Sequence, residues 1–256
     1  MNVPLRASIT ATYNWFMHVF YYPDLITGPA ILPEPEARHG IKSLRLRRGD
    51  IIGITDGCGT FAKAEILDDA VQHCAFRVID QHTETHPSGP MLHIAISPLQ
   101  QQERFEWFLE KATELGVAVI TPVLCERTVR PGVRTDRMQK IIISAMKQSG
   151  RSWLPRLNDP VPFMEFFRRP APSQRFIAHC MEEAKEELVT LMEAGKDTVI
   201  LIGPEGDFTP SEVRYAIENH FLPVSLGPAT LRTETAGIAS CCIFRFVQLP
   251  ATKSTT

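Results

Sequence analysis

Two short stretches of this sequence combine glycine, proline and carboxylates in a way that could hold a ligand. The first is Gly203-Pro204-Glu205-Gly206-Asp207-Phe208, which follows the apolar run Val199-Ile200-Leu201-Ile202. The second is Gly227-Pro228-Ala229-Thr230-Leu231-Arg232-Thr233-Glu234-Thr235-Ala236, which follows a run from Leu222 to Leu226. Each reads as a strand that stops at glycine and opens into a loop. After the first loop, Thr209-Pro210-Ser211-Glu212 supplies a hydroxyl to cap a helix, a proline for its first turn and a Glu that can reach back to the cap. In an open parallel sheet, ligands bind beyond the carboxyl ends of the strands, so the two loops form the candidate site. Neither carries the G-x-G-x-x-G of dinucleotide folds or the G-K-[ST] of phosphate-gripping loops, and Glu205 and Asp207 would repel a pyrophosphate. A nucleoside with a positive centre, S-adenosyl-L-methionine, suits them better. Glycines of a plain structural turn account for them equally well. No G-x-S-x-G, H-E-x-x-H or paired metal-carboxylate motif competes, and no metal is expected.

The elements that must position these loops are spread over 256 residues, enough for one large domain or for a small and a medium one. A net charge of -2 gives no global hint of a partner. Cys58, Cys74, Cys125, Cys180, Cys241 and Cys242 contain no C-x-x-C pair, which suggests reduced, cytoplasmic thiols rather than zinc or disulfides. No apolar run approaches the roughly 20 residues of a membrane span, so a soluble protein without membrane contact is expected. Residues 1–16, with a single basic residue at Arg6 and no acidic one, lack the apolar core of a secretory signal and read as a poorly ordered extension.

From 17 to 86 the signals are β with one helix. His18–Tyr22, Ile51–Thr55, Phe61–Leu67 and Cys74–Asp80 read as strands, Asp56-Gly57-Cys58-Gly59 as a hairpin turn, and Pro33–Leu44 has helical spacing. Leu44-Arg45-Leu46-Arg47 alternates apolar and basic residues like a strand with a charged outer face. Such short strands fit a small barrel of a kind that holds nucleic acid, or an accessory packing domain. Thr83–Pro90 reads as a linker. From 91 to 250 strands and helices alternate: Met91–Ser97, a helix striped by Phe105, Phe108, Leu109, Ala112 and Leu115 and ended by Gly116, Val117–Leu124, a helix marked by Met138, Ile142 and Met146, Arg175–Cys180, Glu182–Ala194, Asp197–Ile202, and a final helix over Thr233–Val247. That series builds an α/β domain with a mostly parallel sheet covered on both faces.

Charge is unevenly placed. Arg127, Arg130, Arg134, Arg137, Lys140, Lys147, Arg151 and Arg156 face only Asp136 among acids before Asp159, a patch suited to phosphates as well as to a solvated face. A second cluster is Arg45, Arg47 and Arg48.

Taken together, Leu201–Phe208, Ser225-Leu226-Gly227-Pro228 and Leu231–Ala236 resemble the two loops of the RsmE family of bacterial 16S rRNA uridine-N3 methyltransferases, within the SPOUT superfamily. Glu110–Gly116, Lys147-Gln148-Ser149-Gly150-Arg151, Ile177–Cys180, Met17–Tyr21 and Leu44–Asp50 match as well, so the resemblance covers nearly everything after Met17. It implies a small PUA-like β-barrel that binds RNA over 17–86, followed over 91–250 by a SPOUT methyltransferase domain with a C-terminal trefoil knot. It further implies a cytoplasmic homodimer that uses S-adenosyl-L-methionine on 16S rRNA in the small ribosomal subunit. By motif, the cofactor falls on His179, Gly203, Pro204, Glu205, Gly206, Leu226, Gly227, Leu231 and Arg232. The RNA falls on Arg45, Arg47, Arg48, Arg134, Arg137, Lys140, Lys147 and Arg151. The chain departs from the family in having Asp207 where Gly is common, and Ala229-Thr230 where a basic residue precedes Ile.

Uracil N3 becomes nucleophilic when its imide proton leaves, so the site needs a base or a cation beside the resulting anion; methyl transfer then relies on in-line placement. Arg232 is the candidate cation, and Glu205 and Glu234 are candidate proton acceptors. In the first turn of the last helix Glu234 also suits a plain capping role. Gly203 and Gly206 are expected to be required as glycines, because the backbone comes close to a ligand there. Two rivals remain on this reading: an inactive RNA-binding protein of the same fold, and a nucleotide-dependent enzyme of another α/β family.

Overall fold

The hairpin turn at Asp56 shows how local chemistry starts the fold. Gly57 and Gly59 take φ of 72° and 101°, which side chains resist, and Asp56 Oδ1 accepts the amides of Cys58 (2.7 Å) and Thr60 (2.9 Å). This turn joins β2 (Ile51–Thr55) to β3 (Thr60–Ile66) as an antiparallel pair. The computed structural model describes residues 17–84, 89–130, 132–170, 172–182 and 184–249. Residues 1–16, expected to be an extension, and 85–88 of the expected linker lie outside these.

The chain divides into two compact units, Met1–Thr83 and Glu84–Thr256. In the first, β1 (Val19–Tyr21) lies parallel to β2, and β4 (Phe76–Thr83) runs antiparallel to β3. Phe20, Ile52, Ile54, Ala62, Ala64, Ile66 and Phe76 form its core. The helical spacing gives α1 (Glu34–Arg38), which runs on as a π-helical turn over His39–Ser43. Among the described residues the four strands form one sheet in the order β1-β2-β3-β4, without a pairing that closes it into a barrel. Leu44–Arg47 is not the expected strand: Arg45 is left-handed at φ 60°, and the Leu46 amide donates to the Gly40 carbonyl (3.1 Å), so the alternation belongs to a helix end.

In the second unit all strands are parallel. β5 (Leu92–Ile96), β6 (Val119–Leu124), β7 (Arg156–Leu157), β9 (Gln174–Ala178), β10 (Glu186–Glu187), β11 (Thr198–Ile202) and β12 (Leu222–Ser225) lie in the order β10-β12-β9-β11-β5-β6-β7, and β8 (Val161–Pro162) pairs with β6. Alternation along the strands loads both faces, as buried parallel sheets require. Ile94, Ile96, Ile120, Phe176, Ile200 and Ile202 pack with α2 (Gln102–Leu115), α3 (Thr135–Gln148) and α7 (Thr233–Val247). Ala95, Val123, Ile177, Val199 and Leu201 pack with α4 (Phe163–Phe166) and α6 (Pro210–Glu218). Gly116 ends α2 at φ 87°, as its position suggests. Gly237 lets α7 sit on α2, because a Cβ there would come within 2.6 Å of the Phe108 ring. The segment from Glu182 to Ala194 yields only β10 and the single turn α5 (Leu188–Leu191): its apolar residues gather at Leu188, Leu191 and Met192, too few to make the stripe a longer helix would bury.

Candidate active site

Strands β12, β9 and β11 are neighbours, so their carboxyl ends open on the same side. A cleft of about 220 Å³ lies there, and His179, Gly203, Leu226, Gly227 and Leu231 line it. Pro228, Ala229, Thr230, Thr233 and Ala236 of the second loop line it too, with Ser225 before them, and the sequence reading missed Lys185. Lys185 lies outside both loops, and nothing in the sequence pointed to it. The Lys185 ammonium donates to the carbonyls of His179 (2.8 Å) and Met181 (2.6 Å), and so folds the chain after β9 against the cleft. Gly227, at φ 116°, makes the turn after β12, with its amide on Ser225 Oγ (3.1 Å).

The first loop is fastened from three sides. Thr233 Oγ1, buried, donates to the Gly203 carbonyl (3.0 Å) and ties α7 to the end of β11. Asp207 is left-handed at φ 62°, a conformation that glycine adopts freely and Asp tolerates. Its Oδ2 accepts the Cys180 amide (2.9 Å) and its Oδ1 the Phe208 amide (2.9 Å). The departure from Gly at this position therefore adds a strap to the loop after β9. The expected cap of α6 is present in full. Glu212 and Thr209 exchange bonds (Thr209 N to Oε2, 2.8 Å; Glu212 N to Oγ1, 3.3 Å), and the second Glu212 oxygen accepts the Glu126 amide (2.9 Å) beyond β6. Cys125 beside this loop is buried, which pushes its thiol far above the ordinary thiol range.

Pro204, Glu205, Gly206 and Arg232 do not line the cleft. Glu205 is exposed, and its Oε1 accepts the Gln100 amide (3.0 Å). The Gly206 carbonyl accepts from Arg127 Nη1 (2.8 Å). Arg232 is the exposed residue that precedes α7, and Glu234, buried in its first turn, lies 3.8 Å from Arg104 Nη1.

The basic segment separates into two kinds of residue. Arg137 grips Glu106 of α2 with two bonds (Nε to Oε1, 2.6 Å; Nη2 to Oε2, 2.8 Å), and this pairing holds the Glu106 carboxyl below the usual carboxylate range. Arg151 donates Nε and Nη2 to the Glu114 carbonyl (3.2 and 2.9 Å), capping α2, and its burial lowers its affinity for the proton. Arg134 lies 3.8 Å from Asp136, Lys140 is exposed and Lys147 is half-buried on α3. In the first unit Arg45, Arg47 and Arg48 are exposed, with Arg47 3.7 Å from Asp69.

Residues 87–245 match the family model of the RNA methyltransferase domain, which is the class that this sheet and its cleft define. A probable rRNA-methyltransferase from Porphyromonas gingivalis has the same fold, with a TM-score of 0.84 and 38% identity over 91% of this chain and 98% of that one. A ribosomal RNA small subunit methyltransferase E from Neisseria gonorrhoeae, bound to S-adenosyl methionine, gives a TM-score of 0.81 and 30% identity with the same coverage. The enzyme of that name from Synechocystis is 28% identical over 243 residues, which span 92% of this chain and 79% of its own. This chain belongs to the ribosomal RNA small subunit methyltransferase E family.

Proposed function

We propose that the protein transfers a methyl group from S-adenosyl-L-methionine to N3 of a uridine in 16S rRNA of the small ribosomal subunit. The observation that carries this reading is the cleft at the ends of β12, β9 and β11, where residues of both glycine loops and His179 come together. Its lining suits the cofactor: Ile202, Leu226, Leu231 and Ala236 offer apolar surface for an adenosine, and no carboxylate is present to hold a metal instead. Among the described residues no cluster of His, Cys, Asp and Glu could bind a metal ion. When bound, S-adenosyl-L-methionine supplies an electrophilic methyl on a sulfonium. His179, Gly203, Leu226, Gly227 and Leu231 hold it, while Pro204, Glu205 and Gly206 shape the loop from behind.

Arg232, exposed at the start of α7, stabilises the uracil anion or positions its phosphate. Glu205, the exposed carboxylate of the first loop, is the proposed acceptor of the N3 proton, which requires its side chain to leave the Gln100 amide and turn toward the cleft. Glu234, beside Arg104, positions the first turn of α7. Exposed Arg134 and Lys140 in one unit, and Arg45, Arg47 and Arg48 in the other, contact RNA phosphates. Arg137 and Arg151 hold α2 through Glu106 and the Glu114 carbonyl, and Lys147 lies half-buried on α3.

Residues 17–86 act as the PUA-like RNA-binding domain, and 91–250 as the SPOUT domain. A trefoil knot is supported by the strand order: the chain leaves β11, passes β9 to form β12, and returns in α7 to pack on α2. Phe246 and Leu249, 69% and 55% exposed around the end of α7, support a homodimer. A ribosomal RNA substrate supports a cytoplasmic location. No described helix is long and apolar enough to cross a membrane. The test is transfer of a labelled methyl group to undermethylated small subunits, with mapping of the modified base. Binding of the subunit without transfer would establish the rival reading, an inactive RNA-binding protein.

A further inference from the structure

A second cavity, of about 260 Å³, lies at the other end of the sheet from the cleft, beside the second residues of β5, β9 and β11: His93, Arg175 and Val199. It opens on the face covered by α4 and α6, and Phe166, Phe167 and Phe221 form its aromatic wall. These rings are locked edge to face, Phe166 on Phe167 at 5.6 Å and 84° and Phe167 on Phe221 at 5.2 Å and 73°. Two arginines, Arg169 and Arg175, supply the only charges of the lining. Arg175 is held by two backbone carbonyls, Pro172 O at 3.1 Å and Asn219 O at 3.3 Å, which fix the guanidinium without neutralising it. Arg169 is exposed at the rim and has no ion pair among the described residues.

His93 does not offset these charges. Its Nε2 is bonded to Thr121 Oγ1 (2.8 Å), which also accepts from Asn158 Nδ2 (2.7 Å). Burial, with Arg156 and Arg169 nearby, pushes its pKa down to about 4, so the ring is neutral at physiological pH. No carboxylate lines the cavity. A held and an exposed guanidinium beside a wall of packed aromatic rings, with no acid to satisfy them, match an anion attached to a planar ring. A bare phosphate would leave most of the space empty.

We infer that this cavity binds one nucleotide unit, its base against Phe167 and its phosphate between Arg169 and Arg175. The unit comes either from a free nucleoside monophosphate or from an RNA end. Binding here is separate from the methyl-transfer reading, because the cavity shares no lining residue with the cleft.

Calorimetric titration with UMP and GMP, uridine, inorganic phosphate and a 5′-phosphorylated RNA hexamer tests the assignment. The monophosphates are expected to bind, with uridine and inorganic phosphate at least tenfold weaker. Arg169→Gln should weaken monophosphate binding about ten- to a hundredfold, the loss expected for a hydrogen bond to a charged group. Phe167→Leu should weaken it by a similar factor. In both variants the affinity for S-adenosylhomocysteine should be unchanged, which shows that the domain is folded. Hexamer binding that Arg169→Gln also weakens assigns the unit to RNA, and binding restricted to the monophosphates assigns it to the free pool; both support the site. Monophosphates that fail to bind, or that bind the exposed-residue variant Arg169→Gln as tightly as the parent, overturn it, as does inorganic phosphate binding as tightly as UMP.

Discussion

Replacing Gly203 by alanine probes why the first loop has glycine at all. Neither Gly203 nor Gly206 is in the left-handed region, so conformation is not the reason for either. A Cβ on Gly203 would lie 3.0 Å from Cδ2 and Cε2 of Phe208 and 3.3 Å from the Phe208 amide nitrogen. Comfortable carbon contacts begin at about 3.5 Å, so the ring would have to retreat by about half an ångström. Phe208 is fully buried and packs on Phe163 with ring centroids 5.8 Å apart, which leaves it little room. Overpacking of this kind costs about 1–3 kcal/mol. At Gly206 the added Cβ would meet only the Arg127 side chain, at 3.5 and 3.6 Å, which is ordinary contact, and the residue is exposed. Gly206→Ala should therefore change stability by no more than about 0.5 kcal/mol. Urea unfolding of both variants gives the stabilities, and calorimetry with S-adenosylhomocysteine gives the cofactor affinity. Gly203→Ala should lower both, and Phe208→Leu in that background should recover part of the stability. If Gly203→Ala is as stable as the parent, or Gly206→Ala is the worse of the two, the packing account of this loop is wrong.

Arg232→Ala should leave the fold and S-adenosylhomocysteine affinity intact and lower methyl transfer at least tenfold; normal turnover would remove Arg232 from the mechanism. Arg134→Gln with Lys140→Gln should reduce the slope of log K against log salt for RNA binding by about 0.7–0.9 for each phosphate that is no longer neutralised, whereas Arg151→Gln should lower thermal stability, because it uncaps α2, and leave the slope alone. His93 is neutral in the fold, with a pKa of about 4 against 6.5 when exposed. A depressed value means that its contribution to stability is complete above about pH 6.5 and is lost as pH falls toward 4. Discounted for solvent at the half-buried ring, the loss is about 2 kcal/mol. His93→Gln should therefore show a smaller drop in urea midpoint between pH 7 and pH 4.5 than the parent, and equal drops would contradict the assignment.

The periodic parts of the chain were legible because periodicity reports burial. The stripe of Phe105, Phe108, Leu109 and Ala112, the Thr209–Glu212 box and the run from Thr233 to Val247 each announced a helix that the structure contains. Paired two-residue strands such as β7 and β8 carry too few residues for any pattern. Leu44–Arg47 misled because alternation over four residues is shared by strands and by helix ends. In the site, glycine loops marked where the cleft would be, and they could not say which side chains turn into it. Glu205 and Gly206 face other loops, and Lys185 enters from a segment whose composition suggests only a solvated helix. Arg137 and Arg151 looked like free cations since their acceptors, Glu106 and the Glu114 carbonyl, belong to a different helix.

The bond from Thr233 to the Gly203 carbonyl bears on how the protein is made. A ribosome that has delivered β12 has produced every strand of both sheets, yet the nascent chain still lacks Leu231, Thr233 and Ala236 from the wall of the cleft. These arrive with α7, which must travel back to α2 and settle with Gly237 against Phe108. Contacts between segments so distant in sequence form late. The wall of the cleft is thus closed only once α7, the last described element of the chain, has docked.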